Sequence, residues 1–214
     1  DVHGSRGLGD VYKRQAVSYT LGVPHPPGSP LFLLLGRIAS MLPISEDIAF
    51  RVNLLSPLAS AFSVLFLYFI IVQLVNHWRG KIETNTDALI AFGAGIVGSL
   101  TFAFTDSHWF NAVEAEVYAF STFFTAIVVW LALLWSEKAD EKGNERYILI
   151  IAYMIGLATG LHLLNLLTIP FVALLIYFKK YKFEWTSFSI LVLLTGLVFF
   201  IIHNVIIKGM PKIA

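Results

Sequence analysis

The sequence contains no cysteine and little charge. Only 14% of its 214 residues are Asp, Glu, Lys or Arg, whereas about a quarter are charged in an ordinary soluble domain. The lack of cysteine excludes disulfide bonds, thiolate metal ligands and thiol nucleophiles. The formal net charge is +1, and Lys and Arg are scattered among loops rather than gathered in the basic patch that phosphate binding requires. Nucleic acid is therefore not an expected partner.

The sequence also lacks the familiar motifs of soluble enzymes. It has no P-loop, no GxGxxG after a strand, no HExxH sequence and no nucleophile elbow. His25, Asp106, His108, Glu114 and Glu116 carry metal-compatible side chains, but their spacing matches no standard zinc site. No cofactor follows from the sequence. A divalent cation held by carboxylates and a substrate phosphate needs no fixed spacing and remains an alternative.

Long apolar runs dominate the chain instead. Hydrophobic residues make up 57% of it, and its mean hydropathy is +0.75. Because about 20 apolar residues cross the hydrocarbon core as a helix, we predict an all-α, polytopic transmembrane helical bundle of about six spanning helices. The predicted spans are Ile48–Val75, Ala88–Thr105, Val117–Trp135, Tyr147–Leu161, Leu164–Phe178 and Phe188–Ile207. The first carries Asn53 and Pro57 near its start, where neighbouring helices can accommodate a kink. The second contains Gly93, Gly95, Gly98 and Ser99, which allow close helix packing. A shorter run, Leu31–Leu42, is closed by Pro43 and predicts a re-entrant or interfacial helix.

Residues 1–15, DVHGSRGLGDVYKRQ, differ from the rest of the chain. They lack the apolar region of a signal peptide and resemble translated adapter or vector sequence. We therefore expect two parts, a foreign segment over 1–15 and a partial transmembrane domain over 16–214, with the native sequence missing at both ends.

Lys and Arg occur in alternate connections between the predicted spans. The connections after Val75, Trp135 and Phe178 are basic, and those between them are almost free of Lys and Arg. Basic connections face the cytoplasm, so we predict a multi-pass membrane protein with these connections on the cytoplasmic side. The opposite face, towards the periplasm or exterior, then collects His25, the segment from Asp106 to Glu116, and His162.

The most polar interval between apolar runs is Asp106 to Tyr118, DSHWFNAVEAEVY. Ionisable groups this close to a membrane are functional candidates because their burial is costly, and we favour Glu116. Glu114 is equally explained as a helix-start carboxylate stabilised by the macrodipole, and two helical residues at i and i+2 would point to different faces. Trp109 is explained at least as well by an aromatic belt at the membrane boundary.

Two histidines are further candidates. His162 lies in GLATGLHLLNLLT, with Asn165 on the same face if the helix continues. A packing histidine bonded to a backbone carbonyl is the alternative. His25 lies in GVPHPPGSP, where flanking prolines hold the loop with little conformational entropy left to lose.

Four stretches resemble a large bacterial family of multi-span membrane proteins formerly of unknown function. They are TLGVPHPPGSPLFLLLGRIASMLP, RVNLLSPLASAF, NAVEAEVYAFSTFF and GLATGLHLLNLLTIP. The resemblance covers essentially Ala16 onward, and the family has an animal relative that is a transmembrane protein O-mannosyltransferase. The resemblance implies a GT-C type membrane glycosyltransferase of a bacterial inner membrane. Such an enzyme moves a sugar from a polyprenyl-phosphate-type donor to an extracytoplasmic protein or glycan acceptor.

The resemblance also implies site residues. In that family an acidic Asp-x-Gly-Glu type segment, implied to carry the catalytic carboxylate, precedes the HPPG stretch. DVYKRQ stands in its place here, and Asp10 is not given the role, so we expect this fragment to be inactive. The catalytic group is predicted as Glu116, His25 and Asp106. The predicted substrate-binding residues are Arg37, Arg51, Asn111, Glu114, Tyr118, His162 and Asn165.

The expected mechanism is inverting glycosyl transfer. A carboxylate deprotonates or orients the acceptor hydroxyl, while Arg37, Arg51, His25 or a cation stabilises the leaving phosphate. Two rivals remain: a transporter or flippase of lipid-linked substrates, whose inverted repeats we do not detect, and a membrane subunit without chemistry.

Overall fold

The computed structural model describes residues 12–22, 29–80, 82–115 and 117–207. Within these ranges the regular structure is helical, without β-strands. The helices in chain order are α1 (12–20), α2 (Pro30–Met41), α3 (Ile48–Asn53), α4 (Leu55–Arg79), α5 (Asn85–Ala103), α6 (Asp106–Val113), α7 (Val117–Glu137), α8 (Glu145–Thr159), a 3-10 helix (Leu163–Leu167), α9 (Thr168–Lys180), α10 (Trp185–Phe200) and a π-helix (Ile201–Ile207). The predicted all-α helical bundle is confirmed.

Five helical segments within the described ranges are long and apolar enough to cross a membrane. They are Ile48–Arg79, Asn85–Ala103, Val117–Glu137, Leu163–Lys180 and Trp185–Val205. The sixth predicted span corresponds to α8, which has only 15 residues and is therefore about 22 Å long. The chain is an integral membrane protein, and its described residues contain five helices long enough to span together with this shorter helix.

The short α8 nevertheless contacts residues near both ends of α7. Near its start, the Tyr147 ring lies 5.8 Å from the Nζ of Lys138, which directly follows α7. Near its end, Ala158 packs in one core cluster with Ala119 and Phe120 from the first turn of α7. The helix therefore runs antiparallel to α7. The break predicted near His162 is present, since α8 ends at Thr159 and the 3-10 helix begins at Leu163.

Proline explains two of the helix boundaries. Pro57 has no amide hydrogen for the carbonyl of Asn53, four residues earlier, and its ring disfavours helical continuation at that point. The predicted kink is found there, where α3 ends at Asn53 and α4 begins at Leu55. Pro30 is the first residue of α2, and the helix ends at Met41, two residues before Pro43. Its 12 residues span about 18 Å, too short to cross a bilayer.

The first described helix, α1, packs on α2. A Cβ placed on Gly36 of α2 would lie 2.6 Å from the Oγ of Ser18, so glycine is needed for this close approach. The Nη1 of Arg37 also donates a hydrogen bond to the carbonyl of Tyr19 at 2.8 Å. Helix α1 includes residues 12–15, the end of the segment expected to be foreign, whose origin stays a prediction.

Helix α7 forms the centre of the bundle. Its first half packs into a core cluster with Phe32, Val52 and Leu161, and its second half into another with Ile151 and Val172. Aromatic rings join it to α4, with centroid distances of 5.2 Å between Phe66 and Trp130 and 5.9 Å between Phe66 and Phe123. The helices that contact α7 are therefore held in position by this packing.

Small residues let α5 approach α4, as predicted. A Cβ on Gly95 would lie 2.8 Å from the ring of Tyr68 and from the Cγ2 of Val72, and one on Gly98 would lie 2.7 Å from Ile71. Gly93 does not take part in this contact, because a Cβ there would meet nothing within 4 Å. Close backbone approach is a common way of packing helices in a membrane, where no hydrophobic effect drives them together.

We expect Gly95→Ala to destabilise the protein by about 1–3 kcal/mol because the added methyl group overpacks the contact with α4. Gly93→Ala is the matched control on the same helix. Both variants gain the same helix propensity, up to about 1 kcal/mol, so the difference between their unfolding free energies in detergent isolates the packing. Equal stability of the two variants would contradict the close α4–α5 contact.

Candidate functional site

Most of the described site candidates lie at one end of the bundle, which we call the site end. The Nδ2 of Asn53, at the end of α3, donates a hydrogen bond to the carbonyl of Val113 at 2.9 Å. The rings of Tyr118 and His162 lie 5.3 Å apart, which joins the start of α7 to the break after α8. The ring of Phe32 in α2 lies 5.8 Å from that of Phe120. Helices α2, α3, α6, α7 and α8 therefore meet here.

The acidic interval forms a short connection at this end. Helix α6 ends at Val113, Glu114 follows in an extended conformation, and α7 begins at Val117. The interpretation of Glu114 as a helix-start carboxylate is therefore wrong, because this residue follows a helix. Glu116 lies outside the described residues, but its neighbours Ala115 and Val117 are 0% and 5% exposed. The connection is thus anchored in the core on both sides of Glu116.

Asp106 is separate from this connection. It is exposed and lies in the first turn of α6, where a carboxylate interacts favourably with the helix dipole. Glu114 lies just beyond the other end of the same helix, about 12 Å away along its axis. The structure therefore does not bring Asp106 together with Glu114.

Asn53 is a residue of this end that the sequence analysis did not single out. Besides its bond to Val113, its Oδ1 is buried and has no hydrogen-bond partner among the described residues. A buried amide oxygen without a partner is uncommon. The sequence offered a weak signal for it, a polar residue at the predicted kink of a spanning helix.

Both predicted phosphate-binding arginines make local contacts. Arg37 bonds the carbonyl of Tyr19, and its guanidinium lies 5.0 Å from the centroid of that residue's ring. Arg51 donates to the carbonyls of Ser40 at 2.7 Å and Glu46 at 3.4 Å. These bonds use only part of the five donors of each guanidinium. Both side chains therefore fix connections between helices. Among the described residues, these bonds leave part of each guanidinium unused, although the Nε of Arg51 is buried.

Asn165 is the centre of a buried network. It is 2% exposed, and its Oδ1 accepts hydrogen bonds from Ser121 at 3.0 Å and Thr125 at 3.2 Å. Its Nδ2 donates to the carbonyls of Ala158 at 2.9 Å and His162 at 3.1 Å. An amide side chain has two donor and two acceptor positions, so all of them are used. Asn165 therefore holds the break after α8 against α7.

His162 occupies the N-cap of the 3-10 helix instead of continuing α8. Its Nδ1 accepts a hydrogen bond from the backbone N–H of Leu164 at 3.2 Å. The condition under which His162 and Asn165 would share a helix face, that the helix continues, is therefore not met. His162 is half-buried and packs beside Tyr118, which is 45% exposed. These two side chains are accessible beside the start of α7.

The other polar and aromatic residues of the acidic interval differ in exposure. Trp109 is exposed and stacks with Phe104 at 6.2 Å, as in an aromatic belt, and Asn111 is half-buried. His108 is 6% exposed, and its ring lies 4.4 Å from that of Phe102. It also forms a hydrogen bond with the backbone of Ser60, so it is a packing histidine.

His25 lies outside the described residues, as does Glu116. No three His, Asp or Glu side chains come together as a metal site elsewhere in the described chain. The divalent cation that carboxylates and a substrate phosphate would hold therefore stays a prediction.

Burial lowers the pKa of both described histidines of this region below the ordinary 6.5. For His108, the hydrogen bond with Ser60 acts in the opposite direction. For His162, the positive charge of Arg14 in α1 lowers the pKa further. The positive charge of Arg14 therefore disfavours protonation of His162 at the break after α8.

Comparisons with known proteins agree with this architecture. Residues 13–185 match the family described as the Protein O-mannosyl-transferase TMEM260 N-terminal domain. The chain is similar to the protein O-mannosyl-transferase tmem260 of Dictyostelium discoideum, with 28% identity over 207 residues, covering 90% of this chain and 23% of the relative. It is also 28% identical over 150 residues to the TMEM260 protein of Mus musculus, covering 70% of this chain and 19% of the relative. The chain thus spans less than a quarter of the length of these relatives, and no solved structure matches it.

Replacing Thr125 by Val should lower the unfolding free energy by about 0.5–1.5 kcal/mol because Asn165 loses one hydrogen-bond donor. Thr122→Val is the matched control, since the hydroxyl of Thr122 bonds only the carbonyl of Tyr118 in its own helix. Thermal unfolding in detergent measures both variants. Equal losses would show that the Asn165 network contributes nothing beyond an ordinary helix hydroxyl.

We also expect stability to decrease as pH falls below about 6.5. A histidine with a lower pKa in the folded than in the unfolded state binds fewer protons when folded, so acid favours unfolding. The double variant His108→Gln and His162→Gln should show a flatter dependence of melting temperature on pH between about 7 and 5. His77→Gln, which changes an exposed histidine at the other end, is the control. An unchanged slope in the double variant would refute the assignment.

Proposed function

We propose, because this chain belongs to the family of TMEM260 N-terminal domains, that it is part of a membrane glycosyltransferase. The two relatives are named protein O-mannosyl-transferases, so mannose is the first sugar to test and protein the first acceptor. A polyprenyl-phosphate-linked sugar is the proposed donor, since a lipid carrier would present the sugar at the membrane surface.

The observation that carries the proposal is the anchoring of the acidic connection at the site end. Asn53 holds the carbonyl of Val113, and Ala115 and Val117 are buried on either side of Glu116. Catalytic groups need fixed positions because small displacements greatly reduce rates. We assign Glu116 the role of deprotonating or orienting the acceptor hydroxyl, with His25 as the second catalytic candidate.

The remaining residues receive roles that fit their contacts. Arg37 and Arg51 have N–H groups that their bonds to described residues leave unused, and they are proposed to bind donor phosphate. Tyr118 and His162, the accessible pair beside the acidic connection, are proposed to contact sugar or acceptor hydroxyls, as are Glu114 and Asn111. Asn165 is a positioning residue because its amide has no unused hydrogen-bonding position. Asp106 lies furthest along α6 from the connection, so its proposed role is electrostatic.

We also propose that the site end faces the extracytoplasmic side, which is the periplasm in a bacterium. Lys138, Lys142 and Lys179 lie at or beyond the ends of α7 and α9, at the opposite end of the bundle. Basic connections remain on the cytoplasmic side during insertion. A site on the other side would meet acceptors after their translocation.

Glu116→Gln in the full-length protein should reduce sugar transfer by about 100-fold or more, because general base catalysis typically contributes about 100-fold to 10,000-fold. The assay measures mannose transfer from a synthetic polyprenyl-phosphate donor to a protein acceptor in detergent. Glu145→Gln, an exposed carboxylate at the opposite end, is the matched control.

Two outcomes would contradict the assigned function. Undiminished transfer by Glu116→Gln would remove the catalytic role of that residue. Movement of the lipid-linked sugar across vesicle membranes by the unaltered protein, without glycosylated product, would favour a transporter instead.

A further inference from the structure

A polar cleft lies at the end of the bundle opposite to the acidic connection. It has a volume of about 310 Å³ and is lined by Gln73, Leu74, His77, Leu133, Ser136, Glu137 and Lys179. This volume is at the lower limit for small-molecule sites, about 300–1,000 Å³. It is large enough for a headgroup and too small for a whole lipid.

Three helix C-termini converge on this cleft. Gln73 and His77 lie in the last two turns of α4, Glu137 ends α7, and Lys179 is the next-to-last residue of α9. The last four carbonyls of a helix lack intrahelical partners, and each helix C-terminus carries about half a negative charge. Together with the Glu137 carboxylate, these ends favour a cationic group.

The side chain of Gln73 supports the same point. This residue lines the cleft, and its Oε1 is turned into the protein, where it has no hydrogen-bond partner in the described chain. Rotation of the amide would turn this oxygen towards a ligand in the cleft. Leaving a buried polar atom unpaired costs about 1–3 kcal/mol, and an amide oxygen accepts from an N–H donor. A primary ammonium group would supply such a donor.

The rim of the cleft carries a positive charge. Lys179 and His77 are exposed, and Lys179 provides a positive charge suited to phosphate. Leu74 and Leu133 add apolar surface to the same lining. All these residues belong to the final turns of predicted membrane spans, which places the cleft at the depth of the lipid headgroups. A molecule with an amine, a phosphate and an apolar tail would satisfy each part of the lining.

We propose that this cleft binds the headgroup of a phospholipid with a primary amine, of the phosphatidylethanolamine type. The ammonium group bonds Gln73 and Glu137, the phosphate meets Lys179, and the start of the acyl chains follows Leu74 and Leu133. The proposal concerns the end opposite to the glycosyltransferase site and does not depend on that function.

Native mass spectrometry of the purified full-length protein, released from detergent micelles, tests the proposal. The probes are phosphatidylethanolamine, phosphatidylcholine and phosphatidylglycerol with identical acyl chains, and inorganic phosphate alone. We expect phosphatidylethanolamine to bind about tenfold more tightly than phosphatidylcholine, whose quaternary ammonium cannot donate a hydrogen bond. Equal retention of phosphatidylcholine or phosphatidylglycerol would overturn the proposal, and so would equal binding of inorganic phosphate.

Matched variants distinguish binding in the cleft from a general effect of surface charge. Glu137→Gln and Gln73→Leu should abolish the preference for phosphatidylethanolamine, and Lys179→Gln should weaken its binding about tenfold. Glu145→Gln and Lys142→Gln, which change exposed charges at the same end, should leave the preference unchanged. A melting temperature measured in phosphatidylcholine verifies that each variant folds. If the control variants lose the preference equally, the lipid binds the basic surface and the cleft is not the site.

Discussion

The packing of α7 against α4 is the interaction on which the rest of the structure depends. Apolar side chains gain little from leaving lipid for another helix, so association in a membrane depends on interlocking shapes and polar bonds. The rings of Phe66, Phe123 and Trp130 provide that interlocking along the α4–α7 contact. Helix α7 then offers its remaining surfaces to α6, α8 and α9. Both ends of the molecule are therefore built on the same helix.

The site end is the place where helices are interrupted. Non-helical backbone at membrane depth is tolerated only where its polar groups find partners. Two asparagines supply them: Asn53 bonds the carbonyl of Val113 after α6, and Asn165 bonds the carbonyls of Ala158 and His162 after α8. The bonds of Asn165 also fix the segment that carries His162.

The two ends of the bundle differ in their electrostatics. At the site end, Asp106 is exposed in the first turn of α6, and Arg37 and Arg51 lie in α2 and α3. At the other end, α4, α7 and α9 present their C-termini, and their partial negative charge lies beside Glu137 and Lys179 of the cleft lining. That end therefore presents charges of both signs.

The amino-acid sequence alone determined the membrane class, most of the spans, the short α2 and the kink before Pro57. Run length and the missing amide of proline are local properties, and they act without reference to distant residues. The sequence did not determine the role of Asn165, the place of Glu114 after a helix, or the contact of Asn53. The Asn53–Val113 bond joins residues 60 positions apart, and the Ser121–Asn165 bond joins residues 44 apart. Only the tertiary structure decided these partners, because they depend on which helices α7 brings together rather than on any local pattern.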